Sequence, residues 1–244
     1  MNDAALLRLV DVGRRFGGVE ALKDVNFEIG RSELVGLIGP NGSGKSTLVN
    51  VVSGTIGLTR GSIFFDGTEV TRKRTPQIVE LGLTRTFQAP RLFWDLTIQR
   101  NIEIAELQFT GRSEQMYGFI DTHLPDLHSR GEMLARSLTL FEQKQLEIAL
   151  RLASRPQLLM LDEPAAGLSP AEEDELVNIL QQLNRDYCAV LIIEHSMSVI
   201  FRTARRVLVL RGGQLIANGS PRSVAQDDAV IEAYLGPGAK DLIT

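Results

Sequence analysis

Gly39-Pro40-Asn41-Gly42-Ser43-Gly44-Lys45-Ser46-Thr47 decides how the rest of the chain is read. It fits the pattern G-x-x-x-x-G-K-[ST], and its flanks are the ones that pattern needs. Leu34–Ile38 before it is almost wholly apolar, as in a strand buried on both faces of a sheet. Lys45–Ser53 after it reads as a helix. Glycines let successive backbone N–H groups turn toward phosphate oxygens, and the helix N-terminus favours negative charge. Lys45 has the reach for the β- and γ-phosphates of a nucleoside triphosphate, and the Ser46 hydroxyl can ligate Mg²⁺. A plain glycine turn before a helix would account for one or two of these glycines, not for the whole string. Gly39, Asn41, Gly42, Ser43, Gly44, Lys45, Ser46 and Thr47 are therefore expected to bind the nucleotide.

Moving outward, the chain alternates strands and helices. Leu6–Val12, Ala21–Ile29 and Ser62–Phe65 read as strands, the last followed by an Asp66-Gly67 turn. Beyond residue 140, Phe141–Ala153 has helical periodicity and Leu158–Leu161 is a buried strand. A helix follows from Pro170 to Asn184 with Ser169 as its cap, and Val190–Ile193 is a further buried strand. Val207–Leu210 and Gln214–Ala217 flank a glycine turn and read as a hairpin. The alternation predicts an α/β fold with a mainly parallel sheet, plus an antiparallel β portion near the N-terminus. Between them, residues 89–136 hold few β-branched runs, the only Trp and helix-like stretches such as Thr97–Leu107. The expected organisation is an ATP-binding α/β body of residues 1–88 and 137–244 with an inserted helical lobe of residues 89–136.

Composition narrows the classes. Of 244 residues, 43% are hydrophobic and 23% charged, within the globular range. The net charge of −4 gives no sign of a nucleic-acid partner. The single cysteine, Cys188, excludes an intrachain disulfide framework and a cysteine zinc site. Met1–Leu7 lacks the layout of a signal peptide, and no apolar run approaches the roughly 20 residues that span a bilayer. The chain is expected to be intracellular and to serve a membrane only through partners.

Two more strand ends carry chemistry. Leu158-Leu159-Met160-Leu161-Asp162-Glu163-Pro164 is an apolar strand ending in two acids. Beside a phosphate loop, Asp162 is placed to hold Mg²⁺ and Glu163 to orient or deprotonate the attacking water. His195 follows the buried run Val190–Ile193 and is placed to sense the γ-phosphate or to link to Glu163. Gln88 ends Leu83-Thr84-Arg85-Thr86-Phe87-Gln88, where it can sense the metal and water.

With Gly39–Thr47, Gln88, Leu159–Pro164, Ala166–Ser169 and His195 in this order, the chain resembles the ABC transporter ATPases over nearly its full length. Arg85–Gln88, Asp162–Leu168, Ile193–His195 and Val230–Gly236 look like the ATPases of branched-chain amino acid importers. That resemblance implies a P-loop ABC ATPase fold, ATP and Mg²⁺ as ligands, and a peripheral place at the cytoplasmic face of the cell membrane. It also implies a second, different ATPase subunit, two permease subunits and, indirectly, a solute-binding protein. Phe16 occupies the place where the family puts a ring that stacks on adenine; ordinary core packing is the alternative. Trp94, with Pro90–Phe93, is either the core of the lobe or a groove for a membrane subunit's short helix. Two other classes remain open: a switch that binds ATP without turnover, and an ABC ATPase outside transport.

The departures lie in two places. The family signature Leu-Ser-x-Gly-Gln is replaced by Leu138-Thr139-Leu140-Phe141-Glu142. Thr139 keeps a hydroxyl for the nucleotide, but Phe141 is expected to add bulk and Glu142 a repelling charge, unless that charge is paired. The two ATP sites of an ATPase pair are then expected to be unequal, the one borrowing Thr139–Glu142 being slower. Ser169 stands where many relatives carry an aspartate, which weakens the expected communication through that loop.

Overall fold

The computed structural model describes residues 5–109, 113–127 and 129–235. Gly236, the last residue of the Val230–Gly236 match, and residues 1–4 lie outside them. Two sheets organise the body. β1 (Leu7–Phe16), β2 (Val19–Ile29), β4 (Arg60–Phe65) and β5 (Thr68–Glu69) form a four-stranded antiparallel sheet in the order β2-β1-β4-β5. The second sheet contains β3 (Leu34–Ile38), β6 (Leu83–Arg85), β7 (Leu158–Asp162), β8 (Ala189–Ile193), β9 (Arg206–Arg211) and β10 (Gln214–Gly219). Its order is β10-β9-β3-β8-β7-β6, parallel throughout except for β10.

β3 is central, and all five of its residues are buried. Alternation sends Leu34 and Ile38 to one face and Val35 and Leu37 to the other. On the second face lies α1 (Lys45–Val52), whose Leu48, Val49, Val51 and Val52 share a core with Leu7, Val12, Leu22 and Phe65 of the antiparallel sheet. Except for the helix of residues 75–80, whose Ile78 joins this second core, the remaining major helices lie on the first face. α2 (Thr75–Glu80) precedes β6, and α3 (Ile98–Gln108) and α4 (Glu114–His123) pack on α5 (Leu140–Leu152). α6 (Pro170–Gln182), α7 (Met197–Thr203), α8 (Pro221–Ala225) and α9 (Asp228–Leu235) follow among the described residues. Side chains of α3, α4 and α5 share one buried cluster with β3, β7 and β8, so the helices of residues 89–136 have no core of their own.

β1 and β2 run longer than periodicity suggests because bulges interrupt their register. Asp11 and Asp24 take left-handed backbone angles there, and Asn26 bridges the irregularity by accepting from the Asp11 N–H and donating to its carboxylate. α6 is capped by Ser169 and entered through Pro170, as expected.

Candidate active site

The parallel order β3-β8-β7-β6 brings four strand ends side by side at one edge of the sheet. That edge, beyond the carboxyl ends of the strands, is where open α/β sheets bind ligands. The loop after β3 carries Gly39–Gly44, the one after β8 His195, the one after β7 Glu163, and the one after β6 Gln88. An open cleft of about 450 Å³ lies there, lined by Asn41–Thr47, Glu163, His195, Val19–Ala21 and Gly212–Gly213.

Glycine is obligatory at two points of the loop. Gly44, the N-cap of α1, has φ 107°, and a Cβ there would meet the Ala21 carbonyl. Gly39 has φ 152°, and a Cβ would run into the Leu210 carbonyl. Lys45 folds back over the loop, its Nζ donating to the carbonyls of Gly39 at 2.7 Å and Pro40 at 3.3 Å. Burial pulls its ammonium below the ordinary lysine value, and the Glu163 and Asp162 carboxylates oppose that pull. The loop is underpinned by the β9–β10 turn, where the Gly213 N–H donates to the Ser43 carbonyl at 2.8 Å. That support had no motif to announce it.

Glu163 is the point of convergence. Its Oε2 accepts from Gln88 Nε2 at 2.7 Å, and its Oε1 lies 3.1 Å from His195 Nε2. Its backbone takes a left-handed turn, φ 49°, held by its N–H to the Ile193 carbonyl at 2.8 Å. Asp162, just before it, has its carboxyl pushed up by burial and by Glu163, with Arg85 and Lys45 pulling it down. Its N–H donates to the Thr86 hydroxyl. Ser46 and Thr47 line the cleft, whereas Phe16 is at the tip of the β1–β2 hairpin. Phe16 is not core: it is 45% exposed, with the Arg14 guanidinium 4.5 Å from its ring centroid. The return strand, Val19–Ala21, lines the cleft in its place.

The chain from Leu138 to Glu142 corrects one expectation. Phe141 is 7% exposed and belongs to the core, so its bulk does not face outward. Glu142 is paired with Arg130, and its carboxylate also accepts the Thr139 N–H at 2.8 Å in a capping box that starts α5. The Arg130 guanidinium, through its hydrogen bond, holds Glu142 below the ordinary carboxylate range. At this helix end Glu142 is therefore not a free charge and Phe141 does not project.

Three polar residues escaped sequence reasoning. Lys144 on α5 donates to the Glu163 and Pro164 carbonyls at 3.1 and 2.9 Å. Glu147, also on α5, accepts the Arg91 N–H at 3.2 Å. Glu194 accepts N–H groups from the loops after both β7 and β8. Each reaches at least one backbone group distant in sequence, Glu163 and Pro164 for Lys144, Arg91 for Glu147 and Ala165 for Glu194, which no spacing rule reveals.

Residues 22–166 match the family model described as ABC transporter, more than half of the chain. The chain belongs to the ABC transporter family. Residues 214–236 match a second model, branched-chain amino acid ATP-binding cassette transporter. Among curated relatives, the high-affinity branched-chain amino acid transport ATP-binding protein LivG of Escherichia coli K12 is 35% identical, covering 95% of this chain and 98% of LivG. BraF of Pseudomonas aeruginosa, of the same description, is 34% identical with the same coverage. A solved ATP-binding cassette of an ABC transporter in its ADP conformation superposes with a TM-score of 0.85 at 28% identity, over 95% of this chain and 99% of that one. This ABC protein has the fold of a nucleotide-binding cassette, and no helix among its described residues is long and apolar enough to cross a membrane.

Proposed function

We propose that this chain hydrolyses ATP to ADP and phosphate as the nucleotide-binding subunit of an importer for branched-chain amino acids or similar small polar solutes. One observation carries the chemistry: a carboxylate at the phosphate-loop cleft, Glu163, held from both sides by Gln88 and His195. In this reading Glu163 orients the water that attacks the γ-phosphorus and takes its proton. Lys45 leaves the Gly39 and Pro40 carbonyls for the β- and γ-phosphates, and loop N–H groups from Asn41 to Thr47 hold the rest. His195 donates to a γ-phosphate oxygen or returns to Glu163. Phe16 stacks on the adenine from the hairpin tip once the nucleotide is seated.

The donor set of Ser46, Asp162 and Gln88 consists of hard oxygens with few carboxylates, which suits Mg²⁺ shared with nucleotide phosphates. Asp162, with its carboxyl pushed up beside a second acid, is better accommodated with a cation nearby. Bound there, Mg²⁺ would neutralise charge on the β- and γ-phosphates.

The amino-acid cargo is supported by the names of LivG and BraF and by the match over residues 214–236. The partners in this reading are a second, different ATPase subunit, two permeases and, indirectly, a solute-binding protein, at the cytoplasmic face of the membrane. The α/β body is residues 1–88 and 137–244, and the lobe of residues 89–136 is the part that meets the permeases. Phe93 and Trp94, 56% and 37% exposed, supply the apolar contact surface on it. Thr139 faces the partner's nucleotide from a helix end already occupied by Glu142, so the site it completes is the slower one.

Glu163→Gln tests the chemistry. A hydrolase of this kind loses about a hundredfold or more of its turnover while keeping its ATP affinity. Turnover unchanged in that variant would leave a binding switch as the reading that fits.

A further inference from the structure

Gln88 and Glu163 meet although they are 75 residues apart and hang from different strands, β6 and β7. Beyond the pairing of β6 with β7, one helix, α5, reaches both of their loops. Lys144 fixes the Glu163 side by donating to the carbonyls of Glu163 and Pro164. One turn further along, Glu147 fixes the Gln88 side. Glu147 is 2% exposed, and its Oε1 accepts the Arg91 N–H at 3.2 Å. The same carboxylate takes the Phe87 N–H, and Arg151 lies 3.6 Å from it. Both ends of the short segment Phe87–Arg91 are thus tied to one buried carboxylate, with Gln88 between them. The Phe87 ring is itself clamped between the Arg85 and Arg91 guanidinium groups, 4.5 and 3.7 Å from its centroid.

We propose that Glu147 is a positioning residue for hydrolysis: by binding the Phe87 and Arg91 N–H groups it sets Gln88 against Glu163. It is buried and does not line the phosphate-loop cleft, so it acts through Gln88. A buried carboxylate suits this task because it satisfies two backbone donors at once, and charged acceptors make the stronger bonds. Removing it leaves both donors without a partner in a dry place. The segment then shifts to find water, and Gln88 moves with it. The inference rests on the hydrolase reading above, because positioning Gln88 matters only if Glu163 activates water.

The test is steady-state ATP hydrolysis by the full-length chain, alone and with its partner subunits. Glu147→Ala lowers kcat by about tenfold or more, because small misplacements of a reacting group cost that much, and leaves KM for ATP within about threefold. Glu147→Gln, whose amide oxygen still accepts one of the two N–H groups, keeps several-fold more kcat than Glu147→Ala. In a Gln88→Ala background, Glu147→Ala produces no further loss. If Glu147→Ala does not fold, Glu147→Asp replaces it: the charge stays but the carboxylate withdraws from the Arg91 N–H, and kcat falls at constant KM. The inference is overturned by a folded Glu147→Ala or Glu147→Asp protein with wild-type kcat. Losses that multiply in the double variant, or a Glu147→Gln protein as slow as Glu147→Ala, overturn it equally. A wild type with no turnover sensitive to Glu163→Gln is a different result, since it removes the hydrolase reading and this inference with it.

Discussion

Glu194 is 3% exposed and has three backbone N–H groups pointed at it. Its Oε1 accepts from Ala165 at 2.6 Å, and its Oε2 from His195 and Ser196 at 2.9 and 3.2 Å. It therefore joins the loop that carries Glu163 to the loop that carries His195. Glu194→Gln keeps one acceptor oxygen but turns an NH₂ group toward a donor. The expected cost is about 1.5–3 kcal/mol, the worth of a hydrogen bond to a charged group. In urea the midpoint falls with the slope unchanged; a loss below about 0.5 kcal/mol would mean that Glu194 does not bind the loops together. Lys45, Glu163, His195 and Gln88 were legible from sequence because each stands at a fixed place relative to a strand end. Glu194 was visible only as a letter in Ile193-Glu194-His195. Lys144 and Glu147 were hidden because they act on backbone groups 20 and 56 residues away.

At the scale of one element, α5 concentrates the departures from family pattern. Sequence alone suggested bulk from Phe141 and repulsion from Glu142; packing turned the first inward and Arg130 paired the second. What remains is a helix end whose own Glu142 occupies the position an anion would take. Phe141→Gly is therefore a poor probe of signature function, since emptying a buried Phe site costs about 3–5 kcal/mol. Glu142→Gln is the better one, because the amide oxygen preserves the capping box while the charge leaves. Its expected outcome is a stability change below about 1 kcal/mol and severalfold tighter ATP-dependent association with the partner ATPase. Unchanged or weaker association would show that the carboxylate does not limit that site. Other elements were readable in proportion to their length and apolar content. β3 was legible residue for residue from its unbroken apolar run, whereas the six-residue α2 and three-residue β6 gave too short a period to register.

Over the whole molecule, the strand types could be read but not their order: nothing local to Leu34–Ile38 states that β8 and β9 become its neighbours. The joint between the two sheets is equally non-local. Arg206, at the start of β9, makes paired hydrogen bonds to Glu33 at 2.6 and 2.7 Å, reaches the Glu28 carbonyl of β2 at 2.7 Å and the Asn218 side chain of β10 at 3.0 Å. Glu33 also accepts the Gly30 N–H at 2.9 Å. Burial by itself pushes the Glu33 carboxyl up, but the Arg206 hydrogen bonds, the Gly30 N–H and the Arg206 charge outweigh it and hold the group below its ordinary value. A carboxyl depressed by folding contributes stability above its unfolded pKa, about 4.3 for glutamate, and loses it as pH falls through the lower folded value. Glu33→Gln should therefore be less stable than wild type by about 1–2 kcal/mol at pH 7. The gap should hold down to about pH 5 and then narrow as wild type loses the same bond to protonation. Urea midpoints of the two proteins across that range decide it. A gap that stays constant into acid would mean that the joint is held by packing around Arg206 rather than by the charge on Glu33.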